Sequence, residues 1–217
     1  MSGRAEELEA FAREHGLTYA PDLPEEELDP GFFLFSLDQG QVVGSAEHCL
    51  EGIWESVRMR AFDFDLAEVS GLQALGVAAF WTDHTTATVA EVEIDPGVDL
   101  PYVYVDPKDL LTRLADDLDR IDRLHHDRLQ VEYGVPEFDH VFEVRSPDHA
   151  FALALFDRGL IETMLAIGRG FVYEVRGSRF IVHAPQLAVD ELPRLLTAAS
   201  AFRRAIPALA LEGRGAG

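Results

Sequence analysis

From Val57 onward the apolar residues alternate: Val57, Met59 and Ala61 hold one parity and Phe62, Phe64 and Leu66 the other, with Arg58, Arg60, Asp63 and Asp65 between them. A period of two belongs to a strand with one face toward a core, so Ile53 to Leu66 reads as half-buried antiparallel strand. The parity change at Ala61-Phe62 predicts a bulge. Thr85 to Ile94 repeats the theme with Thr86, Thr88, Val89, Val92 and Ile94, and Tyr102 to Val105 and Val141 to Val144 are further short strands. Phe32 to Phe35 is a candidate strand after an acidic connector, Asp22 to Asp29, which Pro21, Pro24 and Pro30 hold in extended or turn conformation. Phe171 to Val175 and Arg179 to Val182 flank Arg176-Gly177-Ser178, a hairpin signal because glycine supplies the positive φ of a tight turn.

Helical spacing appears elsewhere. Glu6 to Glu14 places Leu8, Phe11 and Ala12 on one stripe before a stop at Gly16. Asp106-Pro107 opens a second helix, with Leu110, Leu111, Leu114, Leu118, Ile121 and Leu124 in phase and a solvated acidic face opposite. Ser146-Pro147-Asp148 starts a third, with Ser146 as N-cap and a break at Gly159; its second piece carries Ile161, Met164 and Leu165. A last helix runs from about Asp190 to Ile206, with Pro193 in its first turn and Pro207 as its stop. Strands in antiparallel-type succession flanked by helices predict an α+β protein, a mainly antiparallel sheet with the C-terminal helix packed on it. The chain reads as a single domain over 1–217, and His125 to Pro136, where periodicity is lost, is the one seam where two lobes would meet. The predicted core comprises Val57, Met59, Phe62, Phe64, Val89, Val92, Val103, Phe142, Val144, Phe171, Val172, Phe180, Val182, Leu195 and Phe202.

Charge narrows the choice of partners. With 39 acidic against 18 basic side chains and a net charge of −21, the average surface repels phosphate and anionic headgroups. Nucleic acid and membrane are therefore not expected as partners; a basic protein or an organic cation is compatible. A single cysteine, Cys49, a polar acidic N-terminus and apolar runs far below the ~20 residues of a membrane span predict a cytoplasmic protein. Lys108 is the only lysine and asparagine is absent, a bias that points to a GC-rich, actinobacterial genome.

Motifs that announce chemistry do not form. Gly40 to Ser45 lacks the lysine and frame of a phosphate loop, and Gly168-Arg169-Gly170 precedes a strand instead of opening a helix. Asp122, His126 and Asp127, the first two one helical turn apart, and the pair His125-His126 are the most suggestive local metal candidates; Asp122 and His126 read better as an i,i+4 surface pair, so neither metal nor cofactor is expected. His48 beside Cys49 suggests an activated thiol, but neighbours on a strand point to opposite faces, and Cys49 reads as a small buried hydrophobe. Phe62, Phe64, Phe80 and Trp81 read as core.

Four segments, Arg58 to Phe64, Leu100 to Pro107, Glu137 to Ala152 and the Leu192 to Pro207 helix, together resemble an uncharacterised family of soluble actinobacterial α+β proteins of about this length. The resemblance implies a folded unit; it carries no catalytic residues.

Two functions are compatible with these patterns. The first is a non-enzymatic protein-interaction or small-ligand-binding protein, with a protein partner or a second copy of itself as a homo-oligomer, acting through apolar surface. Its motive is the terminal helix, where Leu192, Leu195, Leu196, Ala199, Phe202 and Ile206 form one stripe and alanines make up much of the rest. Deep burial of that helix within the same chain explains the pattern equally well. The alternative is a hydrolase-like enzyme whose site the fold assembles from distant residues such as Asp83, His84 and His183.

Overall fold

Among the described residues nine strands, all antiparallel, form one sheet in the order β1-β2-β3-β4-β9-β8-β5-β7-β6. The computed structural model describes residues 2–32, 34, 44–66, 86–108 and 129–212. The strands are β1 (Thr18–Leu23), β2 (Gly44–Trp54), β3 (Val57–Leu66), β4 (Thr86–Glu93), β5 (Leu100–Pro107), β6 (Leu129–Val131), β7 (Phe142–Ser146), β8 (Val172–Gly177) and β9 (Arg179–Pro185). The described helices are α1 (Ser2–His15), α2 (Pro136–Val141), α3 (His149–Leu155), α4 (Arg158–Ile167), α5 (Leu192–Ala205) and α6 (Ala208–Leu211). The α+β architecture and the packing of α5 on the sheet agree with the pattern of the sequence, and no described helix is long and apolar enough to cross a membrane.

One face of the sheet carries the helices. Leu8, Phe11 and Ala12 of α1, Leu160 and Met164 of α4 and Leu195, Ala199 and Phe202 of α5 share a core with Met59, Ala90, Val103, Phe142, Val175 and Phe180 from the strands. Phe202 is fully buried and stacks on Tyr173, with ring centroids 5.0 Å apart. The opposite face is covered in part by the chain around Leu28, Phe32 and Leu34, which pack on Ala46, Cys49, Phe62, Phe64, Val89 and Ile181. Every residue of the predicted core is buried.

Several local expectations are corrected. Strand β3 alternates without interruption, because its even positions 62 and 64 face the loop-side core while its odd positions face the helices. The bulge lies on the partner strand: β2 uses the steps from Glu47 to Leu50 against Asp63 to Ala61 on β3, and His48 takes a left-handed φ of 58° there. Ile53 belongs to β2, and the chain turns at Glu55-Ser56, both with positive φ (44° and 71°), the geometry of the tight hairpin turn that matches strand twist. Phe32 and Leu34 lie in a turn, not a strand: the Phe32 N–H donates to the Asp29 carbonyl at 3.1 Å. Asp106 and Pro107 are the last residues of β5, and helical structure begins at Lys108 directly after them, without a capping hydrogen bond from Asp106; the apolar positions 110–124 lie outside the described residues.

Ser146 ends β7, and Asp148 caps α3 by accepting from the Phe151 N–H at 2.8 Å. Pro147, between them, precedes the helix. The helix then breaks at Phe156-Asp157, where Asp157 caps α4 through the Leu160 N–H at 2.9 Å, and Gly159 falls inside the new first turn. The hairpin at Gly177 (φ 56°) and the stop at Gly16 (φ 69°) form as the sequence predicts. At the seam, residues 129–131 pair as β6 with β7, so the sheet continues beyond it.

Candidate functional site

The loop-side face of the sheet carries two groups of charged residues. The first forms because β3, β4 and β9 are neighbours and place Arg60 directly opposite Glu91 and Arg179 opposite Glu93. Glu91 is only 4% exposed, and both its oxygens are taken: Arg60 Nε donates to Oε2 and Arg179 Nη1 to Oε1, each at 2.9 Å. Arg60 reaches on to the 3-10 turn at Glu25–Glu27, donating to the Glu27 carboxylate at 2.8 Å and to its carbonyl at 2.7 Å. The cost of burying a carboxylate is offset here by charge-assisted hydrogen bonds from two guanidiniums. Between turn and sheet this leaves an open cleft of about 450 Å³, lined by Glu26, Glu27, Leu28, Asp29, Arg60, Ser178 and Arg179.

The second group lies across β5, β7, β8 and β9. Glu174 is fully buried and accepts from the Tyr102 hydroxyl at 2.7 Å and from the Leu34 N–H at 3.1 Å, while His183 Nε2 stands 3.3 Å from its Oε1. This carboxylate ties the covering chain at residue 34 to the sheet. Arg145 donates to Glu143 at 2.6 Å. Beside them Asp106 is 1% exposed, and neither of its oxygens has a hydrogen-bond partner. Burial, reinforced by Glu143 and opposed by Arg145, pushes its carboxyl up to about 7. Burial also raises the Tyr104 hydroxyl well above its ordinary value, with Asp106 and Glu174 adding to the effect.

A third constellation, on the helix side, is structural. Asp63 accepts from Arg4 at 2.8 Å and from Thr88 at 3.0 Å, Arg4 also donates to the Leu187 carbonyl at 2.9 Å, and α1 is thereby clamped to β3 and to the chain after β9.

Of the residues singled out in the sequence, His183 lies in the Glu174 group, whereas Asp83, His84, Asp122, His125, His126, Asp127, Phe80 and Trp81 lie outside the described residues. His48 and Cys49 do not make an activated thiol. His48 Nδ1 meets the Tyr19 hydroxyl at 2.8 Å, and Cys49, 6% exposed in the loop-side core, has its thiol pushed up to about 11 by burial. Gly168, with φ 83°, ends α4 ahead of β8, as a loop before a strand should. Sequence reasoning missed Glu91, Asp106 and Glu174. Their signal is a lone acid inside a strand whose two parities are both apolar, as in Val89-Ala90-Glu91-Val92 and Val172-Tyr173-Glu174-Val175.

The stripe of the terminal helix is accounted for within the chain: Leu192, Leu195, Leu196, Ala199 and Phe202 are at most 1% exposed against the sheet and α4, and Ile206 just after α5 is 8% exposed. Comparison with known proteins adds no relative: no protein-family model matches the chain, and no curated protein does.

Proposed function

We propose that this protein acts by binding without turnover, and that a small organic cation occupies the cleft between the 3-10 turn and the β3–β9 face. The observation that carries the reading is the cleft itself. Its volume of about 450 Å³ suits a small molecule, and its polar wall is preorganised because Arg60 and Arg179 are pinned by Glu91 and Glu27. Three acids of the lining, Glu26, Glu27 and Asp29, outnumber its two arginines, and the net charge of −21 steers cations toward the surface. The same field disfavours nucleic acid and anionic membrane as partners, and the single cysteine fits a cytoplasmic location. A thermal-shift series with organic amines, from monoamines to polyamines, tests the proposal; a rise in melting temperature that saturates with ligand and weakens with salt is expected. A flat response across the series rejects it.

One observation favours a second reading, a hydrolase-like enzyme. Tyr102, Glu174 and His183, far apart in sequence, converge in one chain of polar contacts. Glu174 is also the anchor of Leu34, a structural duty, and we rank the binding reading first.

A further inference from the structure

Asp106 is the one described carboxylate that is buried with neither oxygen hydrogen-bonded. Its surroundings follow from the register. Across β5–β7 it stands directly opposite Glu143, and like charges at directly opposed positions of an antiparallel pair repel. Two residues back on β5, Tyr104 is flanked by Arg145 on β7 and Glu174 on β8. One step further along the β5–β8 register brings apolar Val172 beside Asp106. Arg145, the nearest cation in that group, is engaged with Glu143. Two residues on, Lys108 donates to the Asp139 carbonyl at the foot of α2. The charged groups that act on Asp106 are thus Glu143 and Arg145, with Tyr104, Glu174 and Lys108 the next titratable groups along the described parts of β5 and β8 and just past the end of β5.

We propose that Asp106 and Glu143 form a proton-operated latch on the β5–β7 pair. With a proton on Asp106, the buried carboxyl is neutral, its repulsion with Glu143 is absent and the pair is closed. Without it, a buried anion faces Glu143, and the strain falls on the side of the sheet least able to resist it. There β7, five residues long, is paired with β5 over four positions on one side and with β6, an edge strand of three residues, on the other.

The direction is fixed by linkage. The folded carboxyl titrates near 7 and the unfolded one near 3.8, so the proton binds the closed form more tightly. The stabilisation is complete below the unfolded value and is lost as the pH rises through about 7.

Hydrogen–deuterium exchange on the whole chain, corrected for intrinsic exchange rates, reads the latch. From about pH 5 to about pH 7, protection of the amides of β7 and the end of β5 should fall on the order of tenfold per pH unit and then level off, one proton being linked to opening. In Asp106→Asn the fall should vanish. In Glu143→Gln it should level off at lower pH, because the charge that adds to the effect of burial on Asp106 is gone. Protection in the wild type that does not change over this range, or an unchanged fall in Asp106→Asn, overturns the proposal. If Asp106→Asn does not fold, a fall in Glu143→Gln that levels off at the wild-type pH overturns it instead.

Discussion

Replacing Glu174 with alanine removes the acceptor on which three elements converge. The Tyr102 hydroxyl at 2.7 Å, the Leu34 N–H at 3.1 Å and the His183 ring nitrogen at 3.3 Å all lose it at once, in a place where Glu174 itself has no exposed surface. A buried donor left without a partner costs about 1–3 kcal/mol. Loss of these two hydrogen bonds and of the contact with His183, partly relieved by water entering the space, gives a destabilisation of about 3–5 kcal/mol. That is a large share of the ~5–15 kcal/mol stability of an ordinary domain. With a urea slope of about 2–3 kcal/mol/M, the unfolding midpoint should drop by about 1–2 M. Glu174→Gln, which keeps one carbonyl acceptor at the same place, should cost roughly half as much. Equilibrium urea unfolding followed by tryptophan fluorescence measures both. An alanine variant with the wild-type midpoint would refute the claim that Glu174 anchors the covering chain, and would make its convergence with His183 and Tyr102 an argument for the enzymatic reading.

Two further outcomes follow from groups that burial places under constraint. Tyr173→Phe should stabilise the fold by about 1 kcal/mol in the same urea assay, because the Tyr173 hydroxyl is buried without a partner and its removal leaves the stacking on Phe202 intact. At mildly alkaline pH Cys49 should react with a disulfide reagent orders of magnitude more slowly than a free thiol, since it is buried and its thiol titrates near 11; labelling at the free-thiol rate would contradict that placement.

Much of this fold is legible from periodicity, and what is not has identifiable causes. Strands β3, β4, β8 and β9 announce themselves through runs such as Phe62-Asp63-Phe64 and Phe180-Ile181-Val182, and every predicted core position is buried. Strand β1 is silent because it lies at the sheet edge: Thr18, Ala20, Pro21 and Asp22 are exposed, and a proline there obstructs further pairing. Strand β6 is too short to show a period. The bulge was legible only as a disturbance in β3, because burial on both faces mimics a parity switch, while the residue that is out of step, His48, sits on the partner strand. Glu55-Ser56 takes a turn geometry usually marked by asparagine and glycine, so the β2–β3 hairpin carries no sequence signal. At the level of sites, His183 was in view but its partner Glu174 was not, because their contact depends on β8 and β9 pairing. The cleft was equally hidden: Arg60, Glu91 and Arg179 meet only through a sheet order that jumps from β4 to β9.

The proposal that the protein binds a small organic cation in this cleft is tested most directly by calorimetric titration of the wild type and Glu26→Gln with the amine that gives the largest thermal shift. Glu26 is exposed on the cleft wall, so its loss removes charge from the site without disturbing the Arg60, Glu91 and Arg179 framework. Saturable binding at one site per chain is expected, weakened by about two- to fivefold in the variant, as the loss of one exposed charge worth ~0.5–1 kcal/mol requires. Absence of saturable binding by the wild type, or identical affinity in Glu26→Gln, would contradict the account.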